Sequence, residues 1–141
     1  MGTDTQSNPL ENIMTSTAAQ LVAKARGQIR NLTVDEVAHR VEFGTLTLVD
    51  IREPNEVQRD GVIPNAVTAP RGMLEFWADP TSPYHRAEFD PAATIVLYCA
   101  SGGRSALAAS TLQALGYTDV AHLDGGFKAW TAAGRPVTHQ S

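Results

Sequence analysis

Cys99 opens the segment Cys99-Ala100-Ser101-Gly102-Gly103-Arg104-Ser105, whose residue types fit the chemistry of a sulfur nucleophile. Gly102 and Gly103 admit backbone angles closed to other residues. Consecutive N–H groups in such a loop turn toward one point and make an anion-binding nest. A helix starting directly behind the loop adds the partial positive charge of its N-terminus, and Arg104 adds a full one. A free cysteine ionises near pH ~8.5, and such surroundings lower that value by one to several units. The thiolate is the nucleophile, and the same cradle would stabilise a negatively charged sulfur product held on Cys99. The plainer alternative makes Cys99 a small buried hydrophobe, Gly102 and Gly103 a tight turn, and Arg104 a solvated helix-start residue. The occurrence of all of them together at this spacing favours the chemical reading.

Three mostly apolar runs are expected to be strands. They are Leu46-Thr47-Leu48-Val49 running into Asp50, Thr94 to Tyr98 ending at Cys99, and Val120 to Leu123 ending at Asp124-Gly125-Gly126. Strands that are apolar nearly throughout are buried on both faces of a parallel sheet. Val62-Ile63 and Ala66-Val67 offer a further short strand around Pro64.

Helices are signalled between these runs. Thr17 and Gln20 form a capping box ahead of Ala18, Leu21, Val22 and Ala25, with Gly27 as the stop. Thr33 and Glu36 form a second box, Leu32 and Val37 a hydrophobic staple, and Gly44 the stop. Val34, Val37, Ala38 and Val41 make that helix's apolar face. Leu107, Ala108, Thr111, Leu112 and Leu115 share a face of a third helix closed by Gly116, and Phe127, Ala129 and Trp130 begin a short fourth. Pro70-Arg71-Gly72 leads into another helix through Met73, Leu74, Phe76 and Trp77. Asp79 to Pro91 is a long surface loop, one place where specificity could reside. Strands alternating with helices give an α/β fold with a largely parallel sheet, and ligands of such sheets bind beyond the carboxyl ends of the strands, where Cys99 falls. The expected organisation is a loose segment 1–14, one domain over 15–138 that includes the N-terminal helix, and a tail 139–141.

Composition excludes several functions. A 43% hydrophobic content supplies a core, and a net charge of −4 with no Lys/Arg run argues against nucleic acid as a partner. A lone cysteine cannot make an internal disulfide and fits a reducing compartment. Met1 to Asn12 has neither the basic start nor the apolar stretch of a secretory signal. No run approaches the roughly 18 apolar residues of a membrane helix, so a soluble cytoplasmic protein is expected. His39, His85, His122 and His139 are scattered without metal-ligand spacing, and no metal is expected. His85, in the long loop, is the one histidine placed to reach the pocket. Asp50, Arg52 and Arg71 are candidates for the pocket wall. The simpler roles are a helix cap for Asp50 and a structural ion pair for Arg52, and Trp130 reads as a core plug.

Three motifs between about Thr33 and Pro136 resemble a single-domain rhodanese homology protein. They are Leu48-Val49-Asp50-Ile51-Arg52-Glu53-Pro54-Asn55-Glu56 with Gly61 to Ala66 following, Cys99 to Ser105, and Leu123-Asp124-Gly125-Gly126-Phe127-Lys128-Ala129-Trp130. The resemblance implies a three-layer α/β fold, with a five-stranded mostly parallel sheet flanked by helices. It implies Cys99 as the catalytic nucleophile, with Ala100, Ser101, Gly102, Gly103, Arg104 and Ser105 binding the substrate. The implied reaction is ping-pong. Cys99 takes a sulfane sulfur from a donor such as thiosulfate, releases sulfite, and passes the persulfide sulfur to cyanide or a thiol. No metal or organic cofactor is implied.

The chain departs from the family pattern at Val62, where His is usual, and at Asn65, where Gly is usual. It also departs at Ala100-Ser101, since thiosulfate-preferring members often carry basic residues there. Two other functions compete. A persulfide carrier or regulatory module would hand sulfur to, or bind, a partner protein, although such modules commonly lack the cysteine. A Cys-dependent phosphatase or arsenate reductase would place five residues between Cys and Arg. Here there are four, Ala100 to Gly103, which makes a cradle sized for sulfur.

Overall fold

The computed structural model describes residues 15–139, so the expected loose segment 1–14 and residues 140–141 of the tail lie outside the described residues. Helix α1 (Ala18–Gln28) starts at the Thr17 capping box, with Gln20 N–H donating to Thr17 Oγ1 at 3.1 Å and Thr17 N–H donating to Gln20 Oε1 at 2.9 Å. It runs through Gly27, the expected stop, and ends one residue later. Strand β1 (Arg30–Leu32) follows, and sequence patterning gave no sign of it. Two of its three residues are exposed and only Leu32 is buried, as at a sheet edge, so no apolar run announces it. The second capping box starts α2 (Val34–Glu42), with Glu36 N–H on Thr33 Oγ1 at 3.1 Å.

The remaining elements are β2 (Thr47–Asp50), α3 (Pro54–Asp60), β3 (Val67–Thr68) and a 3-10 turn Arg71–Met73 leading into α4 (Leu74–Ala78). After them come β4 (Ile95–Tyr98), α5 (Gly103–Ala114), β5 (Val120–Leu123) and α6 (Gly126–Ala132). The sheet order is β1-β5-β4-β2-β3, and every pairing is parallel. This is the expected five-stranded α/β sheet flanked by helices, with β4 at its centre. Every residue of β4 and β5 is buried, as strands covered on both faces require.

Side chains alternate between two cores. Ile95, Leu97 and Cys99 join Val49, Ile51, Phe89, Ala108, Ala109 and Leu112 on one face of the sheet. Val96 and Tyr98 join Leu48, Ile63, Ala121, Phe127 and Trp130 on the other. Trp130 is a core residue whose indole N–H donates to Pro136 O at 2.7 Å.

The expected strand around Pro64 is reduced to Val67–Thr68. Val62 instead bridges Thr138 antiparallel, and Asn65 turns the chain at φ +72°. Asparagine is among the few non-glycine residues that tolerate this region. The buried face of α5 also differs from expectation. It is Ser105, Ala106, Ala108, Ala109 and Leu112, with Leu107 only half-buried, because small residues let this helix lie close to the sheet while α1 packs on its other side. In the long loop, Phe89 is fully buried and the Arg86 guanidinium stacks 3.5 Å from the Trp77 ring centroid.

Candidate active site

Cys99 stands just past the carboxyl end of β4 and is 1% exposed. Its sulfur accepts the Gly102 N–H at 3.1 Å and the Ser105 N–H at 3.4 Å, and Ser105 Oγ lies 3.5 Å away. Burial alone would push the thiol up. Hydrogen bonds from the Ser105 hydroxyl and from the N–H groups of Ser105, Gly102 and Ser101 outweigh it and hold the thiol below its ordinary value.

One glycine, rather than two, makes the loop possible. Gly102 takes φ +114° as the residue before α5, and a Cβ there would come within 2.9 Å of the Arg26 guanidinium. Gly103 is already helical, has no positive φ, and a Cβ on it would meet only Val22 at 3.9 Å. Ala100 is half-buried and Ser101 exposed.

The third sequence motif fastens the loop from behind. Phe127 N–H donates to Cys99 O at 2.8 Å and Lys128 N–H to Ala100 O at 3.0 Å. Gly126, at φ +64°, lets these backbones meet, because a Cβ there would fall 2.6 Å from Cys99 O and 2.7 Å from the Ala100 carbonyl. The first motif contributes Glu56. Both its oxygens accept from Arg104, at 2.8 and 2.9 Å, while one also accepts the Glu53 N–H at 2.9 Å. The Arg104 guanidinium holds the Glu56 carboxyl down at about 2 against the residual effect of burial, and Arg104 is itself raised by its hydrogen bonds to Glu56. The full positive charge expected of Arg104 is therefore shared with a carboxylate.

The three wall candidates are each held by polar partners. Arg52 is fully buried with Asp50, its Nη2 2.7 Å from Asp50 Oδ2 and 2.6 Å from Gly61 O. Its guanidinium lies 4.1 Å from the Phe127 ring centroid, in the core opposite the one that holds Cys99. Asp50 does not cap α3; Glu53 occupies that position. Arg71 bonds Glu75 at 2.8 Å and Thr111 at 3.2 Å, tying α4 to α5. His85 is bound to Phe89 O at 2.9 Å within its own loop.

Sequence reasoning missed His122 and Asn31. His122 is fully buried, with Nδ1 2.8 Å from Ser105 Oγ and Nε2 2.7 Å from Asn31 Oδ1. The available signal was a histidine inside an apolar strand, since a buried polar group demands partners. Among the described residues, no group of three or more His, Cys, Asp or Glu side chains is placed to hold a metal ion.

The class is a parallel α/β domain that presents one cysteine at the end of its central strand, with N–H donors converging on the sulfur. The chain belongs to the rhodanese-like domain family, whose sequence model matches residues 33–133. A sulfurtransferase from Allochromatium vinosum is 37% identical over 90 residues, covering 64% of this chain and 76% of that protein. The thiosulfate sulfurtransferase GlpE of Pseudoalteromonas translucida is 28% identical over 104 residues, 74% of this chain and 90% of that one. A solved structure from Rhodopseudomonas palustris, a protein of unknown function described as a possible tyrosine phosphatase, superposes with TM-score 0.84 at 41% identity. That superposition covers 97% of this chain and 100% of the other.

Proposed function

We propose that this chain is a sulfurtransferase that works through a Cys99 persulfide. The Cys99 thiolate attacks the outer sulfur of a sulfane donor such as thiosulfate, and the S–S bond of the donor breaks with sulfite leaving. The sulfur then remains on Cys99 as a persulfide until cyanide or a thiol removes it and restores the thiolate. The observation that carries this reading is the convergence of the Gly102 and Ser105 N–H groups on the Cys99 sulfur. That cradle suits a single anionic sulfur, and the sulfurtransferase relatives agree with it. Ala100 and Ser101 carry no charge, so polysulfide belongs beside thiosulfate among the donors to be tried. A free thiol of this kind works in a reducing compartment such as the cytoplasm. The acceptor is a small thiol, cyanide or the thiol of a partner protein.

The phosphatase reading draws support from the Rhodopseudomonas palustris likeness. Against it stand the four residues between Cys99 and Arg104 and the occupation of both arms of Arg104 by Glu56. A phosphatase needs that guanidinium for the phosphate oxygens.

Intact-mass measurement after incubation with thiosulfate or polysulfide decides between them. The expected result is a gain of one sulfur mass, removed by cyanide and absent in Cys99→Ser. No adduct with any sulfane donor, together with turnover of an aryl phosphate, would overturn the proposal in favour of the phosphatase.

A further inference from the structure

We propose that Ser105, His122 and Asn31 form a proton relay in which His122 takes up the proton of the Cys99 thiol. The proposal rests on Cys99 being the reacting group, as above, and assigns His122 as a positioning residue acting through Ser105.

The hydrogen-bond directions follow from one amide. Asn31 Nδ2 donates to Arg26 O at 3.0 Å and to Ile29 O at 3.2 Å, and both acceptors are carbonyls. This fixes which end of the amide faces His122. Oδ1, an acceptor, lies 2.7 Å from Nε2, so Nε2 carries the hydrogen. In the neutral ring Nδ1 is then a bare acceptor, 2.8 Å from Ser105 Oγ against 3.3 Å for the Gly102 carbonyl, and the Ser105 hydroxyl donates to the nearer Nδ1. The lone pairs of Ser105 are left facing the Cys99 thiol at 3.5 Å. Burial favours the neutral ring, so the base stands empty before reaction.

The transfer balances. The S–H bond of Cys99 breaks and its proton joins Ser105 Oγ, while the original Ser105 proton moves to His122 Nδ1. The new Ser105 hydroxyl donates to the thiolate, the imidazolium Nδ1–H donates to Ser105, and Nε2–H stays on Asn31. Every hydrogen bond survives, with two of them reversed. An anionic sulfur and a cationic ring replace two neutral groups, so no net charge is added to the interior. Once sulfur is transferred, the persulfide is also an anion, and the proton stays on His122 through the cycle. Asn31 and the backbone carbonyl of Arg26 precede residue 33, where the family match begins, so the outer end of the relay comes from the N-terminal segment.

The charged groups around the relay are Arg26 from α1 and Asp124 beyond β5 near His122, and Arg104 from α5, paired with Glu56 of α3, near Cys99. None of them is altered in the test. Cys99 is the only cysteine, so the ultraviolet absorbance of its thiolate, corrected with Cys99→Ser, reports its ionisation alone. His122→Gln keeps a hydrogen bond to Ser105 but cannot take a proton, and Ser105→Ala cuts the path. Both are expected to raise the thiolate midpoint by about one unit, leaving about tenfold less thiolate below it. Asn31→Asp places a carboxylate on Nε2–H, strengthens the base, and is expected to shift the midpoint the other way. Nitrogen NMR of His122 is expected to show Nδ1 gaining a proton as the thiolate forms, a change absent in Cys99→Ser. Midpoints for His122→Gln and Ser105→Ala that match the wild type, or an Nδ1 signal indifferent to thiolate formation, overturn the relay. Where His122→Gln fails to fold, Asn31→Asp decides, since a carboxylate there lowers the thiolate midpoint only through His122 and would otherwise raise it. No sulfur donor enters these measurements. Shifted midpoints without a persulfide mass would sink the proposed function alone, and a persulfide with unshifted midpoints would sink the relay alone.

Discussion

Gly102 and Gly103 are neighbours of the same type with unlike duties. At φ +114°, a side chain on Gly102 would pay the left-handed cost of about 1–2 kcal/mol and would also displace Arg26. Gly103 sits in ordinary helical backbone, where a Cβ would meet only Val22 at an ordinary van der Waals distance of 3.9 Å. Gly102→Ala is therefore expected to lower the unfolding free energy by about 1–2 kcal/mol and to misplace the N–H that faces the Cys99 sulfur. Gly103→Ala is expected to leave both intact. Denaturant unfolding and persulfide yield, read side by side, check the pair. Equal losses in the two variants would show that the loop needs both glycines. Arg104 also changes meaning at this scale. Held by both oxygens of Glu56, it braces the loop while its charge still lies beside Cys99.

At the scale of elements, the Cys99 loop is held from two sides. Helix α5 starts at Gly103 and supplies the Ser105 N–H, while the start of α6 catches the Cys99 and Ala100 carbonyls. The close approach at Gly126 is backbone against backbone, so nothing flexible can yield. Gly126→Ala is expected to part α6 from the loop and cost about 3 kcal/mol or more, the scale of severe overpacking. It is also expected to abolish persulfide formation even where the variant still folds. The measurement is thermal unfolding together with the mass assay; a variant with wild-type stability and yield would show that α6 does not fasten the loop.

At the scale of the whole molecule, the Glu56–Arg104 pair joins α3 to α5 across 48 residues of chain. Glu56 ionises at about 2 in the folded chain, against an ordinary 4.5 when unfolded. As pH falls, the unfolded chain binds that proton first. The stabilisation is thus fully present above pH 4.5 and is lost between there and about pH 2. With Glu56 18% and Arg104 39% exposed, solvent screening trims the contribution to about 1–2 kcal/mol. Urea midpoints measured from pH 6 to pH 2 are expected to fall through this window in the wild type, and to fall less in Glu56→Gln. Parallel curves would mean that other carboxylates carry the acid sensitivity.

What the sequence determined by itself was local. The Thr17 and Thr33 capping boxes, the apolar runs that became β2, β4 and β5, and the loop from Cys99 to Ser105 are all written within a few residues of one another. Helix caps and strand burial obey short-range rules of this kind. Edge strand β1 escaped detection because its stability comes from pairing with β5 rather than from its own residues. Only the tertiary structure decided who meets whom. The order β1-β5-β4 places Asn31 level with His122, and His122 level with Leu97, two residues before Cys99. The relay partners are thus 91 and 17 residues apart in the chain but joined by hydrogen bonds in the fold. The same holds for Arg52 and Arg71, whose charges made them candidates for the pocket. The fold gives Arg52 to Asp50 and Arg71 to Glu75 and Thr111, because a buried or half-buried guanidinium goes to whichever acceptor the packing brings near.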